Sequence, residues 1–275
     1  MIKLCDTHND YLSQLPIDEI QNYALKSKDV LICASYWSTK KEEKQIQSDL
    51  TVRAQKLRSI DTCHLLHIED MWWIKNKKAL DNLLSLQPFS CSLTWNGQNV
   101  LASGSKAQGG LTEWGRKCIS QLIDRNVLLD TAHLNRQSFF EVTKLVRRNL
   151  YCSHTGFYGI RRHKRNLTDK QINMIVKSDG FIGLYFYDDA LKRTRSPFVI
   201  DDIISSIEYF TSRWGCDNLG FGTDFYGIDN YPQGIKGYID FAKLEKALLS
   251  KGYSQDSIDK IFYKNFLNFC ASLEK

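Results

Sequence analysis

The sequence predicts an α/β fold, a single (β/α)8 TIM-type barrel whose active site lies at the C-terminal mouth of its strands. Three observations predict it. Eight short apolar runs alternate with amphipathic stretches along 275 residues. The runs are nearly continuous in apolar character, as strands covered on both faces require. Histidines and acids fall at the C-terminal ends of several runs, where a barrel gathers its chemistry. An open doubly wound sheet would also alternate, but it rarely needs eight strands and would not unite acids from the first, third and eighth. No low-complexity linker divides the chain, so residues 1–275 are expected to form one domain.

The strand-like runs are IKLCD (2–6), DVLICASY (29–36), TCHLLHIE (62–69), FSCSLTW (89–95), NVLLDTAH (126–133), LYCSH (150–154), GFIGLYFY (180–187) and NLGFGTD (218–224). Between them, residues 40–59 are amphipathic, with charges at the exposed positions. LTEWGRKCISQLID (111–124) spaces Leu111, Trp114, Cys118, Ile119 and Leu122 along one helical face. Asn135 is a candidate cap for RQSFFEVTKLVRR, and Thr168 caps the next helix, with Gly180 just past its end. Residues 199–213 and 238–250 read as helices, and SQDSIDKIFYKNFLNFCASL closes the chain with one more. The loop SGSKAQGG, with Gly109 and Gly110, reads as flexible and not as a phosphate cradle.

Composition is that of a globular protein, 43% hydrophobic and 25% charged. The net charge of +6 is spread along the chain, Arg161 to Arg165 being a short exception, so a solvated basic surface is expected and no nucleic-acid partner. The opening MIKLCDTHND lacks the pattern of a secretory signal, no apolar stretch approaches the roughly 20 residues that span a bilayer, and NFCASLEK offers no lipid anchor. Of the eight cysteines, Cys5, Cys33, Cys63, Cys91 and Cys152 fall in apolar runs, and there is no CxxC pair. Reduced packing thiols in a cytoplasmic protein are expected, with no membrane association.

Residues two apart on a strand share a face, so His8 and Asp10 can grip one cation. Glu69 closes the third strand, His133 the fifth and His154 the sixth. Two imidazoles from adjacent strands and a carboxylate with two oxygens suit a pair of zinc or similar ions. Such a pair, about 3.5–4 Å apart, lowers the pKa of a bridging water toward neutrality and supplies hydroxide. Asp224, ending the eighth strand, is placed to carry the proton to a leaving amine. His64 and His67 lie earlier on the third strand and read as structural, although His67 shares the parity of Glu69. Asp217 and Asp229 read as solvated or turn acids.

These residues stand in motifs that run nearly end to end: DTHND, HIED, LTWNGQN, GLTEWGRKCISQLIDRNVLLDTAH, SHTGFYGIRRHKRNLTDKQ, GFGTDFYGID and GYSQDSIDKIFYKNFL. In that order they resemble the membrane (renal) dipeptidase family, a branch of the metal-dependent amidohydrolase barrels. The resemblance implies a zinc dipeptidase with two divalent ions, cleaving the amide of a dipeptide or similar small N-acyl amino acid. It assigns His8 and Asp10 to the first metal, Glu69 to the bridge, and His133 and His154 to the second metal. Arg165 matches the arginine that holds the substrate's carboxylate, and Asp224 the acid of proton transfer. Members are often dimers, so a homodimer is an expectation carried by the resemblance alone.

The chain departs from the family pattern in three places. Trp95 stands where the family carries a substrate-site histidine; indole donates one N–H but cannot become cationic or accept a proton. Tyr263 replaces an expected glycine, and Asp70-Met71 follow Glu69 where small residues are usual, so an altered shape is expected near the mouth. Trp95 sets up a rival reading: a catalytically silent or retuned binding protein on the same scaffold. A barrel hydrolase of lactones or cyclic amides is the third reading. The lack of a strand-end lysine for a carbamate bridge argues against it, because Glu69 already fills that role.

Overall fold

In the computed structural model, which describes residues 2–40, 42–60, 63–192 and 197–273, eight strands close into one parallel barrel. They are β1 (Leu4–Asn9), β2 (Val30–Tyr36), β3 (His64–Ile68), β4 (Ser90–Ser92), β5 (Leu128–Asp130), β6 (Tyr151–Thr155), β7 (Phe181–Leu184) and β8 (Leu219–Phe221). Each pairs with its neighbours in sequence, and β1 closes on β8 through Asp6 and Phe221. All eight predicted runs are present, mostly shorter than read, because their last residues leave the sheet to line the mouth. Thr62 and Lys41, placed by sequence in a strand and a helix, lie outside the described residues.

Helices fill most of the crossovers, as parallel pairing requires. The expected ones run Glu43–Arg58, Glu113–Asp124, Arg136–Leu145, Asp169–Lys177, Ile200–Trp214 and Phe241–Ser250. Asn135 accepts from the Ser138 N–H, and Thr168 forms a capping box with Gln171. The left-handed residue after that helix is Asp179 (φ 57°), not Gly180. Gly180 is needed for space instead: a Cβ there would stand 2.1 Å from the Leu150 carbonyl oxygen. Two longer helices were not read from sequence, Ile17–Lys26 and Lys77–Ser85. The second carried its signals openly, an Asn76 cap followed by Leu80, Leu83 and Leu84 on one face.

The closing helix is interrupted. Gln255–Asp259 passes into a π-helical turn at Lys260–Lys264 before Asn265–Leu273 resumes. Asn265 accounts for the register change, its amide donating to the carbonyls of Cys216 and Leu219. This segment seals the N-terminal end of the barrel. Phe266 and Phe269 pack on Tyr151 and Phe181, the first residues of β6 and β7, with Cys5 and Cys33 in the same buried cluster. Tyr263 belongs here too, its carbonyl facing the Cys5 thiol, so its substitution does not touch the mouth as the sequence reading placed it. Among the described residues no disulfide forms; Cys5, Cys33, Cys91 and Cys152 are buried as expected, while Cys63 precedes β3 and is exposed. No described helix is long and apolar enough to cross a membrane.

Candidate metal centre and substrate cleft

The opposite end of the barrel collects charge. His8 is the fifth residue of β1, and Asp10 follows the strand's last residue. Glu69 comes directly after β3, held by its N–H on the Tyr36 carbonyl. His154 lies within β6, whereas His133 and Asp224 sit in the turns after β5 and β8. Both turn residues adopt left-handed backbone (φ 65° and 64°), as does Asp70 beside Glu69 (φ 60°). For non-glycine residues this costs on the order of 1 kcal/mol each, strain of the kind that concentrates at functional sites. Asp70 is steadied by the Asn99 amide at 2.9 Å, and Met71 is fully buried, so the unusual pair after Glu69 serves packing.

All six side chains converge. His8 Nε2 lies 3.2 Å from Asp10 Oδ2 and 3.9 Å from both Glu69 Oε1 and Asp224 Oδ1. The same Glu69 oxygen is 2.9 Å from His133 Nε2 and 3.8 Å from His154 Nε2. Donor atoms within 4.8 Å of one another form overlapping triads: His8, Asp10 and Glu69; Glu69, His133 and His154; and His8, His154 and Asp224. Glu69 is the carboxylate shared by the first two, in the place expected of a bridge.

The donors fit a cation. His8 Nδ1 and Nε2 and Asp10 Oδ1 are buried without a hydrogen-bond partner, and unsatisfied buried polar atoms are expensive. His133 Nε2 faces His154 Nε2 at 2.9 Å, so a proton or a cation must sit among these lone pairs. Burial raises Glu69 well above the usual carboxylate range, with Asp10 and Asp224 adding to it against His8 and Arg165. Burial likewise raises Asp224 to about 7. Burial opposes a charge on His8, yet Asp10, Glu69 and Asp224 together hold its pKa up at about 10. His133 and His154 are kept well below the imidazole range by burial and by the positive charges of Arg165 and His8. Crowded carboxylates beside unprotonated imidazoles are an oxygen-and-nitrogen donor set of the kind zinc prefers.

Of the supporting set behind these side chains, the sequence left open only a role for His67; the rest was not read from it. Asp130, at the end of β5 and fully buried, accepts from the N–H groups of Ala132 and Ser153 and, at 2.5 Å, from Ser153 Oγ. With its proton committed to Asp130, Ser153 Oγ accepts from His154 Nδ1 at 2.8 Å, leaving Nε2 as the lone pair. Asn96 Oδ1 does the same for His133, lying 3.2 Å from Nδ1 while also accepting from Ser105 Oγ. His67 is buried beneath His8, ring centroids 5.2 Å apart, with Ser90 Oγ 2.8 Å from its Nδ1. His64 meets the Tyr11 hydroxyl at 2.6 Å, away from the cluster, so its structural reading holds.

Two lobes open over the cluster, each of roughly 270 Å³. They share Trp95, His133, Asp224, Gly227 and Asp229. Asp229 therefore lines the cleft, where sequence made it a turn acid; Asp217 is exposed and pairs with Lys260. One lobe adds Asp10, Gln14, Trp37, Glu69 and Tyr226. The other adds Asn96, Lys106, His163, Arg165, Tyr185, Tyr187 and Ile228. Trp95, 43% exposed, stands at the divide with its ring 5.6 Å from Trp37 and 6.2 Å from His133. Arg165 is only 8% exposed, lies 5.8 Å from the Tyr185 ring centroid and donates to the His154 carbonyl at 3.4 Å. It forms no ion pair among the described residues, so a buried cation faces the cleft. The Gly109 loop beside it is not loose as expected: the Asn135 amide donates to the Ala107 and Gly109 carbonyls.

Comparison with known proteins adds a family to this geometry. A protein of Klebsiella pneumoniae described as an uncharacterized protein in the pqqA 5'region is 29% identical over 176 residues, 62% of this chain and 65% of that protein. Dipeptidase tcpJ of Claviceps purpurea is 21% identical over 165 residues, 60% of this chain and 39% of the relative. The chain thus matches less than two thirds of the length of either relative. Among solved structures, a metallo peptidase from Rhodobacter sphaeroides, liganded with a phosphinate mimic of the dipeptide L-Ala-D-Ala, superposes with a TM-score of 0.83. It is 22% identical, and the match covers 99% of each chain, a likeness of fold. The membrane dipeptidase model (peptidase family M19) matches residues 32–275, so His8 and Asp10 precede the matched stretch and are brought to the site by β1, which pairs with β2 and closes on β8. With nearly the whole barrel covered by that model, the chain belongs to the membrane dipeptidase family.

Proposed function

We propose that this protein is a metal-dependent dipeptidase, a hydrolase that cleaves the amide bond of a dipeptide or similarly small N-acyl amino acid. The observation that carries the reading is the pair of donor triads sharing Glu69, with Arg165, which has no ion pair among the described residues, in the same cleft. His8, Asp10 and Glu69 would hold one divalent ion, and Glu69, His133 and His154 a second, zinc being the ion such donors favour. When bound, the ions supply Lewis acidity, activating water and polarising the scissile carbonyl.

The chain's own residues divide the remaining work. Arg165 receives the substrate's free carboxylate, because a planar guanidinium matches it with paired hydrogen bonds. Trp95 closes the cleft over the peptide and positions it through contact. Asp224 lies beside the donor cluster and lines the cleft, so its carboxylate takes a proton from the attacking water and returns it to the departing nitrogen. The oxygen of water joins the carbonyl carbon, the C–N bond breaks, and a free amine leaves. The dipeptide mimic carried by the Rhodobacter sphaeroides structure supports a ligand of this class. The lack of a disulfide among the described residues supports a reducing compartment, and we read the chain as one cytoplasmic barrel.

Metal analysis of the purified protein, run beside a dipeptide hydrolysis screen, tests the proposal. About two divalent ions per chain and chelator-sensitive cleavage are expected; a protein that binds no divalent ion, or a metal-loaded one that cleaves no dipeptide, overturns it. Trp95→His addresses the silent-scaffold alternative, which draws no support from the family match. If that variant alone hydrolyses dipeptides, the natural chain is a switched-off site.

A further inference from the structure

The two lobes of the cleft share Asp224 and Asp229 and differ in the rest of their charge, one adding only acids and the other only basic side chains. The lobe holding Arg165 also holds Lys106 and His163. Lys106 is fixed there by its backbone, its N–H donating to the Asn96 carbonyl at 2.8 Å. The turn behind it is drawn tight against the segment that follows β4: Gly104 donates to the Gly97 carbonyl at 2.8 Å, and a Cβ on Gly104 would come within 2.0 Å of the Trp95 carbonyl oxygen. Lys106 has no ion-pair partner among the described residues. Its charge is felt within the lobe: burial first, then Arg165, and to a smaller extent Lys106, hold His163 below the imidazole range against Asp189. A substrate's terminal carboxylate neutralises Arg165, and the Lys106 ammonium remains, in ion-pair contact with neither Asp224 nor Asp229 of the same lobe.

Resting on the dipeptidase reading, we propose that Lys106 makes this lobe selective for a C-terminal residue with an acidic side chain, the substrates being dipeptides that end in aspartate or glutamate. The carboxyl end of the peptide lies toward Arg165, so the last side chain lies in the same lobe as the Lys106 ammonium. Tyr187 and Ile228 line that lobe as well and would accept the methylenes of such a side chain. Lys106 is exposed, so the effect is that of a solvated ion pair, about three- to fivefold in specificity, and salt screens it.

Ala-Glu and Ala-Gln differ in charge but hardly in shape, which makes their kcat/KM ratio the test, measured on the metal-loaded protein with either enantiomer of the second residue. The expected ratio is about three to five in favour of Ala-Glu at low ionic strength, shrinking toward one at about 0.5 M salt and in Lys106→Met. Equal rates in the natural protein, or a preference that survives Lys106→Met, overturn the proposal. Should neither peptide be cleaved, the dipeptidase reading has failed. The inference is then judged on its own by equilibrium binding of both peptides to the same protein, where a ratio near one rejects it and a Lys106-dependent excess for Ala-Glu upholds it.

Discussion

The same eight strands end in opposite chemistry at the two rims of this barrel. At the N-terminal rim, Tyr151, Phe181, Phe266 and Phe269 stack with ring centroids 5.0 to 6.3 Å apart. The one buried hydroxyl in that cluster, on Tyr151, donates to the Thr7 carbonyl at 3.1 Å. At the C-terminal rim, three carboxylates and three imidazoles gather in triads whose donor atoms lie within 4.8 Å of one another, and several of those atoms have no hydrogen-bond partner. Parallel strands cause the asymmetry, since every strand delivers its last residues to one face. The lesson is a division of labour: the aromatic rim contributes stability and spends it on nothing, while the charged rim holds an arrangement that the fold alone would not choose.

Removing the shared carboxylate is the strongest way to break that contrast. Glu69→Gln should lower dipeptide hydrolysis by at least about 10³-fold and abolish stoichiometric metal binding. The same change relieves repulsion with Asp10 and Asp224, so the metal-free protein should melt no lower than the parent, and about 2–4 °C higher for each 1 kcal/mol relieved. The sign follows from the raised pKa of Glu69. A carboxyl that holds its proton more tightly when folded loses stability as pH rises through the window above about 4.5, and an uncharged amide does not. The variant's advantage should therefore grow between acid and neutral pH. A metal-free Glu69→Gln protein that unfolds well below the parent would make the charged rim a stabilising element and erase the distinction.

Phe266→Ala attacks the other rim. Emptying this fully buried ring position should cost about 3–5 kcal/mol, roughly a 10 °C fall in melting temperature, as the cavity is only partly filled by neighbours. Metal content and kcat, measured where the protein is still folded, should be those of the parent. Loss of metal with an unchanged melting temperature would show that the two rims are coupled.

Much of this was legible in the sequence, and the pattern of what was not is physical. Strands buried on both faces write themselves as apolar runs, so all eight appeared, and His8, Asp10, Glu69, His133, His154 and Asp224 were findable because each ends or leaves such a run. Trp95, Arg165 and the resemblance they belong to were legible as motif, yet the depth of Arg165 and the exposure of Trp95 were not. Lys106 sits on a loop whose course depends on contacts made far along the chain, so nothing local marks it, and Asp229, although it closes the GFGTDFYGID motif, gives no local sign that it lines the cleft. Asp6 is hidden for another reason: it is a fully buried carboxylate, accepting at 2.6 Å from both Thr223 Oγ1 and the Tyr238 hydroxyl, and those partners lie more than 200 residues away. Asp130 was hidden in the same way, as one polar residue closing an apolar run.

Asp130 gives the smallest and most pointed of these tests, because it separates holding a metal from merely being near one. Its carboxylate can only accept, which obliges Ser153 Oγ to donate toward it and to accept from His154 Nδ1. Asp130→Asn keeps the size and retains an oxygen for the N–H groups of Ala132 and Ser153, but its Nδ2 donates. Ser153 Oγ then accepts from the amide and gives its own proton to Nδ1, which moves the imidazole proton onto Nε2, the atom that faces Glu69 and His133. Metal affinity, read by competition with a chelator, should fall about 10- to 100-fold. Nitrogen NMR of the metal-free protein should show His154 changed from the Nδ1–H to the Nε2–H form. Serine at Ser153 is required for this relay, so adding Ser153→Ala to Asp130→Asn should cost little more than Asp130→Asn alone. An Asp130→Asn protein with parental metal affinity and an unchanged His154 tautomer would reduce Asp130 to a packing group and confine the site's design to the residues that meet the cations.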